Sequence, residues 1–170
     1  MVNLFLAPAT RSGPAYDHFQ KTVLKNSAHD IIKKSSTIDS NSDRLWGLTS
    51  TIEASWETVN QGDWVLFYTQ PNHYEYAAQV VGKEHNPELG ELVREDILED
   101  EKDSEKDWTF LLYLDKPVSV SVTGQSISKM LGYKNDYPVR FIRVTQERLN
   151  SLRKKYDSVD DFIKDIEDED

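Results

Sequence analysis

The chain has no cysteine among its 170 residues. That absence excludes disulfide staples, thiolate metal centres and a cysteine nucleophile. Glycine is sparse, with seven residues scattered at turns, and none of them forms a phosphate-cradling loop. No apolar stretch reaches the roughly 18 residues that a membrane span requires. The start, from Met1 to Pro8, lacks the basic residues and cleavage site of a signal peptide. A cytoplasmic protein with no membrane partner is therefore expected. Cations are also in short supply: 20 Lys and Arg face 30 Asp and Glu, for a net charge of −10.

Such an acidic balance argues against a phosphate-bearing partner until the charge is located. Glu84 to Asp107 holds 11 acids against Arg94, Lys102 and Lys106, and Asp157 to Asp170 holds 8 acids against Lys164. With those two segments set aside, the body of the chain is mildly basic, and an anionic partner is permitted. We read residues 1–156 as one domain and 157–170 as an acidic tail or linker.

Hydrophobic spacing gives a coarse map. Val2–Ala7 reads as a strand and Ala15–Leu24 as a helix, with a second short helix at Ala28–Lys34. Leu45–Leu48 reads as a strand and Ile52–Val59 as a helical turn. Trp64–Thr69 is the clearest strand, rich in aromatic and β-branched residues. Tyr74–Gly82 is expected to return beside it as a hairpin, because Gln70–His73 is too short for a parallel crossover. Pro87–Val93 reads as a helix and Glu95–Asp107 as a charged flexible loop. Strands follow at Trp108–Leu114, Val118–Val122 and Val139–Val144, with helices at Ser126–Leu131 and Gln146–Tyr156. Ser158 is placed to cap an amphipathic turn through Ile166, and the last four residues read as disordered. The predicted class is α+β: a curled mixed sheet or small barrel of about six strands flanked by short helices.

The search for catalytic chemistry finds little. His18, His29, His73 and His85 have no ligand spacing between them, so no metal is expected. No serine sits in a nucleophile elbow. The nearest approximation to a nuclease motif, Asp100-Glu101-Lys102, lies in the acidic loop. We expect no enzyme and no cofactor. The positive signal is aromatic. Trp46, Trp56, Trp64, Tyr68, Tyr74, Tyr76, Trp108, Phe110 and Tyr113 crowd the central half of the chain. Most fill a core, and one or two could line a pocket that stacks a flat ligand.

The order Leu45-Trp46-Gly47-Leu48-Thr49-Ser50, then Gly62-Asp63-Trp64 through Thr69, then Tyr74 through Val81-Gly82, resembles the EVE/YTH branch of the PUA-like superfamily. Trp108–Pro117 and Leu131-Gly132-Tyr133, with Arg143-Val144 beyond, are similar to the amino-terminal domains of McrB-like restriction proteins. The resemblance covers roughly residues 2–156. It implies a module that flips a methylated adenine or cytosine of DNA into an aromatic pocket. Such a module serves a modification-dependent restriction system, with an AAA+ motor or nuclease domain attached. It also implies that Trp46 is a wall of that pocket. Thr10, Arg11 and Ser12, with Thr49 and Ser50, would hydrogen-bond the base edge, and Trp108, Tyr68 or Tyr74 would supply the second aromatic. Lys33, Lys34, Arg44, Arg140 and Arg143 are candidate phosphate contacts, equally explicable as solvated surface. The alternative partner is methylated or structured RNA, read by a PUA-like module whose contacts would include the 2′-hydroxyl.

Overall fold

The computed structural model describes residues 2–39, 41–98 and 108–168. Its strands are β1 (Leu4–Pro8), β2 (Arg44–Leu48), β3 (Trp64–Gln70), β4 (His73–His85), β5 (Phe110–Leu114), β6 (Val118–Thr123) and β7 (Ile142–Arg143). The helices are α1 (Pro14–Phe19), which runs on through a π turn at Gln20–Leu24, α2 (His29–Ser35), α3 (Glu53–Glu57), α4 (Pro87–Val93), α5 (Gly124–Leu131), α6 (Gln146–Arg153) and α7 (Val159–Ile166). The sheet runs β2-β5-β4-β3-β1-β7, with β6 also paired to β4. Its two end strands do not pair among the described residues, so the sheet curls without closing into a barrel.

β3 and β4 form the expected antiparallel hairpin. Asn72 turns the corner at φ 66°, a conformation its short polar side chain tolerates. β1 lies parallel to β3, because everything from α1 to α3 separates them and supplies the crossover that parallel pairing needs. β4 is shared among three neighbours. It pairs with β3, with β6 through residues 73–77, and with β5 through residues 80–85. Opposite β3, Phe67 meets Tyr76 and Tyr68 meets Tyr74, which leaves Glu75 as an extra residue. That bulge changes the side-chain alternation.

A bulged sheet of this kind has a core on each face. Phe5, Ala7, Trp46, Val65, Phe67, Ala78 and Phe110 form one cluster, with Tyr76 packed on its edge. Leu4, Leu6, Leu66, Tyr68, Tyr74, Ala77 and Val120 form the other. α5 and α6 cover this second face, each started by a threonine whose hydroxyl accepts a backbone N–H, Thr123 from Ser126 and Thr145 from Arg148.

Three expectations change. The segment set apart as an acidic tail contains α7, capped by Ser158. Its Val159, Phe162 and Ile163 are buried in the second cluster, and Trp64 Nε1 donates to Asp160 Oδ1 at 2.8 Å. Beyond it, Glu167 bridges to Val120 and the Asp168 N–H donates to the Ser119 carbonyl, so these two residues are placed, while 169–170 lie outside the described residues. The strand expected over Val139–Val144 shrinks to Ile142–Arg143. Pro138 offers no N–H to a ladder, and Phe141 turns inward to stack on Phe5 at 5.2 Å. The charged loop expected over Glu95–Asp107 starts in a π-helical turn, Arg94–Leu98. Residues 99–107, with Asp100-Glu101-Lys102, lie outside the described residues.

One buried charge ties β4 to β5 and to the end of α2. Glu84 accepts from the Tyr113 hydroxyl at 2.6 Å, from the Thr37 N–H at 2.8 Å and from the Thr37 hydroxyl. Burial pushes its carboxyl up, but those hydrogen bonds outweigh it and hold the group below the usual carboxylate range. A depressed carboxylate stabilises the fold above its unfolded value, about 4.3, and that contribution is lost as pH falls through the folded value. Tyr113→Phe is expected to cost about 1–3 kcal/mol at neutral pH. In melting curves against pH, the gap between variant and wild type should narrow below the carboxylate range. A pH-independent gap would refute the account.

Candidate functional site

The aromatic residues of the first face converge where β2, β3, α1 and the segment entering β5 meet. Trp46 stands in the middle of β2 with its ring edge-on to Phe67 (5.5 Å, 84°) and to Phe19 (6.2 Å, 77°). Trp108 lies 6.0 Å away, tilted by 59°, and His18 meets it edge-on at 4.6 Å. Two glycines admit Trp108. A Cβ on Gly47 would run into the six-membered part of its indole, and one on Gly90 would run into its backbone carbonyl. The Trp46-Gly47 pair is thus one device, an aromatic ring followed by the gap that receives a second.

The cluster reaches the surface through Phe19, which contacts Tyr76 (5.6 Å) and Tyr16 (6.4 Å), both half-buried. The loop after β1 sits beside them. The Arg11 guanidinium lies 5.2 Å from the Tyr16 ring centroid and donates to both oxygens of Glu75, at 2.9 and 3.1 Å. The Thr69 hydroxyl donates to the same carboxylate at 2.7 Å. The bulge therefore aims Glu75 at Arg11 and fixes the loop. Thr10 and Ser12 hydroxyls lie 3.3 Å apart on it. Burial, with the Glu75 charge adding to it, raises the Tyr76 phenol, so that ring stays neutral and able to donate.

The structure separates the residues expected together. Trp46 lies in the first-face cluster, with the Thr10–Ser12 loop near its rim, whereas Trp108 belongs to a third cluster with Leu45, Leu89, Val93 and Tyr113 and meets Trp46 only from there. Thr49 and Ser50 follow β2, where the Thr49 and Thr51 hydroxyls pair at 2.7 Å. Tyr68 and Tyr74 are buried on the opposite face, edge to face at 5.1 Å, so they do not share a wall with Trp46. The strand alternation decides this: Tyr68 is one residue from Phe67, and the Glu75 bulge puts Tyr74 opposite Tyr76. Among the candidate cations, Lys33, Lys34 and Arg140 are exposed. Arg44 is committed to the Val23 carbonyl at 2.9 Å and to Asp43 at 3.0 Å. Arg143 is half-buried and donates to Asn3 Oδ1 at 3.3 Å. His18, Phe19, Tyr16 and Tyr76 were not anticipated as site residues. The signal for Phe19 and Tyr16 was available, since Tyr16, Phe19 and Val23 share one helix face. No group of three or more His, Asp or Glu suited to a metal occurs among the described residues.

No protein-family model matches the sequence, and no curated protein matches it significantly. Among solved structures, the N-terminal domain of Thermococcus gammatolerans McrB bound to m5C DNA aligns over 95% of this chain and 99% of its own, with a TM-score of 0.68 at 21% identity. The chain has that domain's fold. That agrees with the expected similarity to the amino-terminal domains of McrB-like proteins. An ASCH protein from Zymomonas mobilis aligns at a TM-score of 0.46 and 9% identity, over 89% of this chain and 94% of its own. The YTH domain of Zygosaccharomyces rouxii MRB1 in complex with N6-methyladenosine RNA aligns at 0.42 and 14% identity, over 91% and 88%. Scores that low carry no argument about this chain.

Within this fold Trp46 is only 5% exposed, and its ring packs β2 on β3 and α1. Trp46→Ala is expected to cost about 3–5 kcal/mol of folding stability, read as a large drop in melting temperature. A variant that melts like the wild type would show that the ring does not carry this packing.

Proposed function

We propose that this domain binds DNA carrying a methylated adenine or cytosine, turning the modified base out of the helix into the aromatic site of the first face. The observation that carries the reading is the cluster itself: two tryptophans held together by Gly47 and Gly90, opening through Phe19 to half-buried Tyr16 and Tyr76. The fold shared with a domain solved on m5C DNA supports it. Turning a base out costs a few kcal/mol, and stacking on aromatic rings returns about 1–3 kcal/mol per base. The hydroxyls of Thr10 and Ser12, and of Thr49 and Ser50, are the groups that would pair with the base edge, and Arg11 is held ready beside them by Glu75. Trp46 and Trp108 form the back wall in this reading. The domain works as the specificity module of a modification-dependent restriction system, with a motor or nuclease domain attached. It does no chemistry of its own.

The test is a titration of the whole chain against matched oligonucleotides, methylated and unmethylated, as DNA and as RNA. Methylated DNA should bind at least tenfold more tightly than its unmethylated match. Trp108→Leu should remove that preference, a loss of about 1–3 kcal/mol, in protein that still melts cooperatively. Equal affinity for all four probes would overturn the proposal, and a preference for methylated RNA over methylated DNA would replace it with the RNA reading.

A further inference from the structure

A second concavity lies on the other face of the sheet. α5, the 133–141 segment, β1 and β4 enclose a cavity of about 220 Å³. It exists because the segment is pinned at a distance from the sheet. Gly132 leaves α5 in the left-handed conformation (φ 81°). The Asp136 carboxylate then accepts from the Ser128 hydroxyl at 2.5 Å. A Cβ on Gly124 would collide with the Asp136 carbonyl. The segment is thus anchored on the helix, and the space between it and Leu6 and Ile142 stays open.

The lining is chemically particular. Tyr133 and Tyr137 give ring surface, and Ile127 and Ile142 give flat apolar walls. Tyr74 closes the floor at 2% exposure, and its hydroxyl has no hydrogen-bond partner among the described residues. At the mouth stand Tyr137 and Val139, 52% and 72% exposed, two of the three large hydrophobics exposed among the described residues. Lys134 and Arg140 line the same cavity. Arg148 lies over the Tyr133 ring at 4.0 Å.

The surrounding charge is out of character for the chain. Residues 131–155 carry seven Lys and Arg against Asp136 and Glu147, in a protein of net charge −10, and Asp136 is already bound to Ser128. An uncharged apolar occupant would leave the Tyr74 hydroxyl and both rim cations unmatched. A bare anion would leave the aromatic walls unused. A planar heterocycle joined to a phosphate satisfies both.

We infer that this cavity is a second nucleotide site, taking the base between Tyr133, Tyr137 and Ile142 with its phosphate on Lys134 and Arg140. Its place on a bound strand rests on the nucleic-acid reading above; its ability to take a nucleotide does not. The two sites occupy opposite faces of one end of the sheet, since Tyr74 pairs with Tyr68, next to the Phe67 on which Trp46 packs. A strand crossing that end could present one base to each.

The experiment follows backbone amide resonances of the whole chain during titration with dAMP and dCMP, with the matching nucleosides, and with inorganic phosphate. Mononucleotides should shift the amides of Ser128, Tyr133 and 139–142. Nucleosides should bind at least fivefold more weakly, and phosphate should not move Ile127 or Ile142. Arg140→Gln should weaken the mononucleotides at least threefold, leave the nucleosides unchanged and leave the melting curve unchanged. Silent cavity amides at millimolar mononucleotide, identical shifts with phosphate alone, or an indifferent Arg140→Gln variant would overturn the inference. Tight binding of methylated DNA with silent cavity amides would overturn this site and keep the proposed function. Cavity shifts with mononucleotide in a chain that ignores methylation would do the reverse.

Discussion

Everything at both faces of this molecule depends on β4 and its extra residue. A strand thirteen residues long pairs with three others in turn, which forces the sheet to curl. At Glu75 the bulge puts Tyr74 on one face and Tyr76 on the other, although a regular strand would have aligned them. The residue displaced by the bulge then holds Arg11 through one guanidinium nitrogen that donates to both carboxylate oxygens, a charge-assisted contact stronger than a neutral one. A regular strand in its place would therefore put both tyrosines on one face and release the loop after β1 in one step.

The aromatic cluster lets a packed core and the proposed binding surface share residues. Trp46, Trp108 and His18 are nearly buried, and burying side chains of this size is what holds β2 and the entry to β5 against α1. Gly47 and Gly90 allow the approach at a cost in local chain entropy. Tyr16 and Tyr76 are the part of the same cluster that remains half-open. The rigid interior thus positions the rings that face outward, which is the condition for stacking without a large ordering cost.

Much of this architecture was legible from residue types. The β3–β4 hairpin followed from an aromatic, β-branched run and a short turn, and the Ser158 cap of α7 followed from its position before apolar spacing. The Leu45-Trp46-Gly47 run and the Gly62-Asp63-Trp64 strand carried the fold. The site was less legible, for physical reasons. A bulge is invisible in a pattern of period two, so Tyr68 and Tyr74 stood as candidate pocket aromatics although they face away from Trp46. Arg44 has the same sequence signature as a free surface cation, and only the fold brings the Val23 carbonyl to it. The acidic composition of residues 157–166 set them apart as a tail although Ser158 and the apolar spacing marked an amphipathic turn, because only the fold shows that Val159, Phe162 and Ile163 pack into the second cluster.

Charge placement makes the last connection between the two faces. Asp168 is fixed at the edge of β6, where the Ser119 hydroxyl donates to its carboxylate at 2.6 Å. Ser119 pairs across the sheet with Tyr76, so this carboxylate stands on the same face as the rim of the aromatic site. α7 packs the chain in place just before it. In the proposed reading, a polyanion at the rim meets this carboxylate on the β6 side, whereas the other cavity is bordered by the basic 131–155 segment, and fields of this kind steer encounter before contact. The strand β4 joins the two concavities directly, with Tyr76 at the edge of one cluster and Tyr74 on the floor of the other cavity.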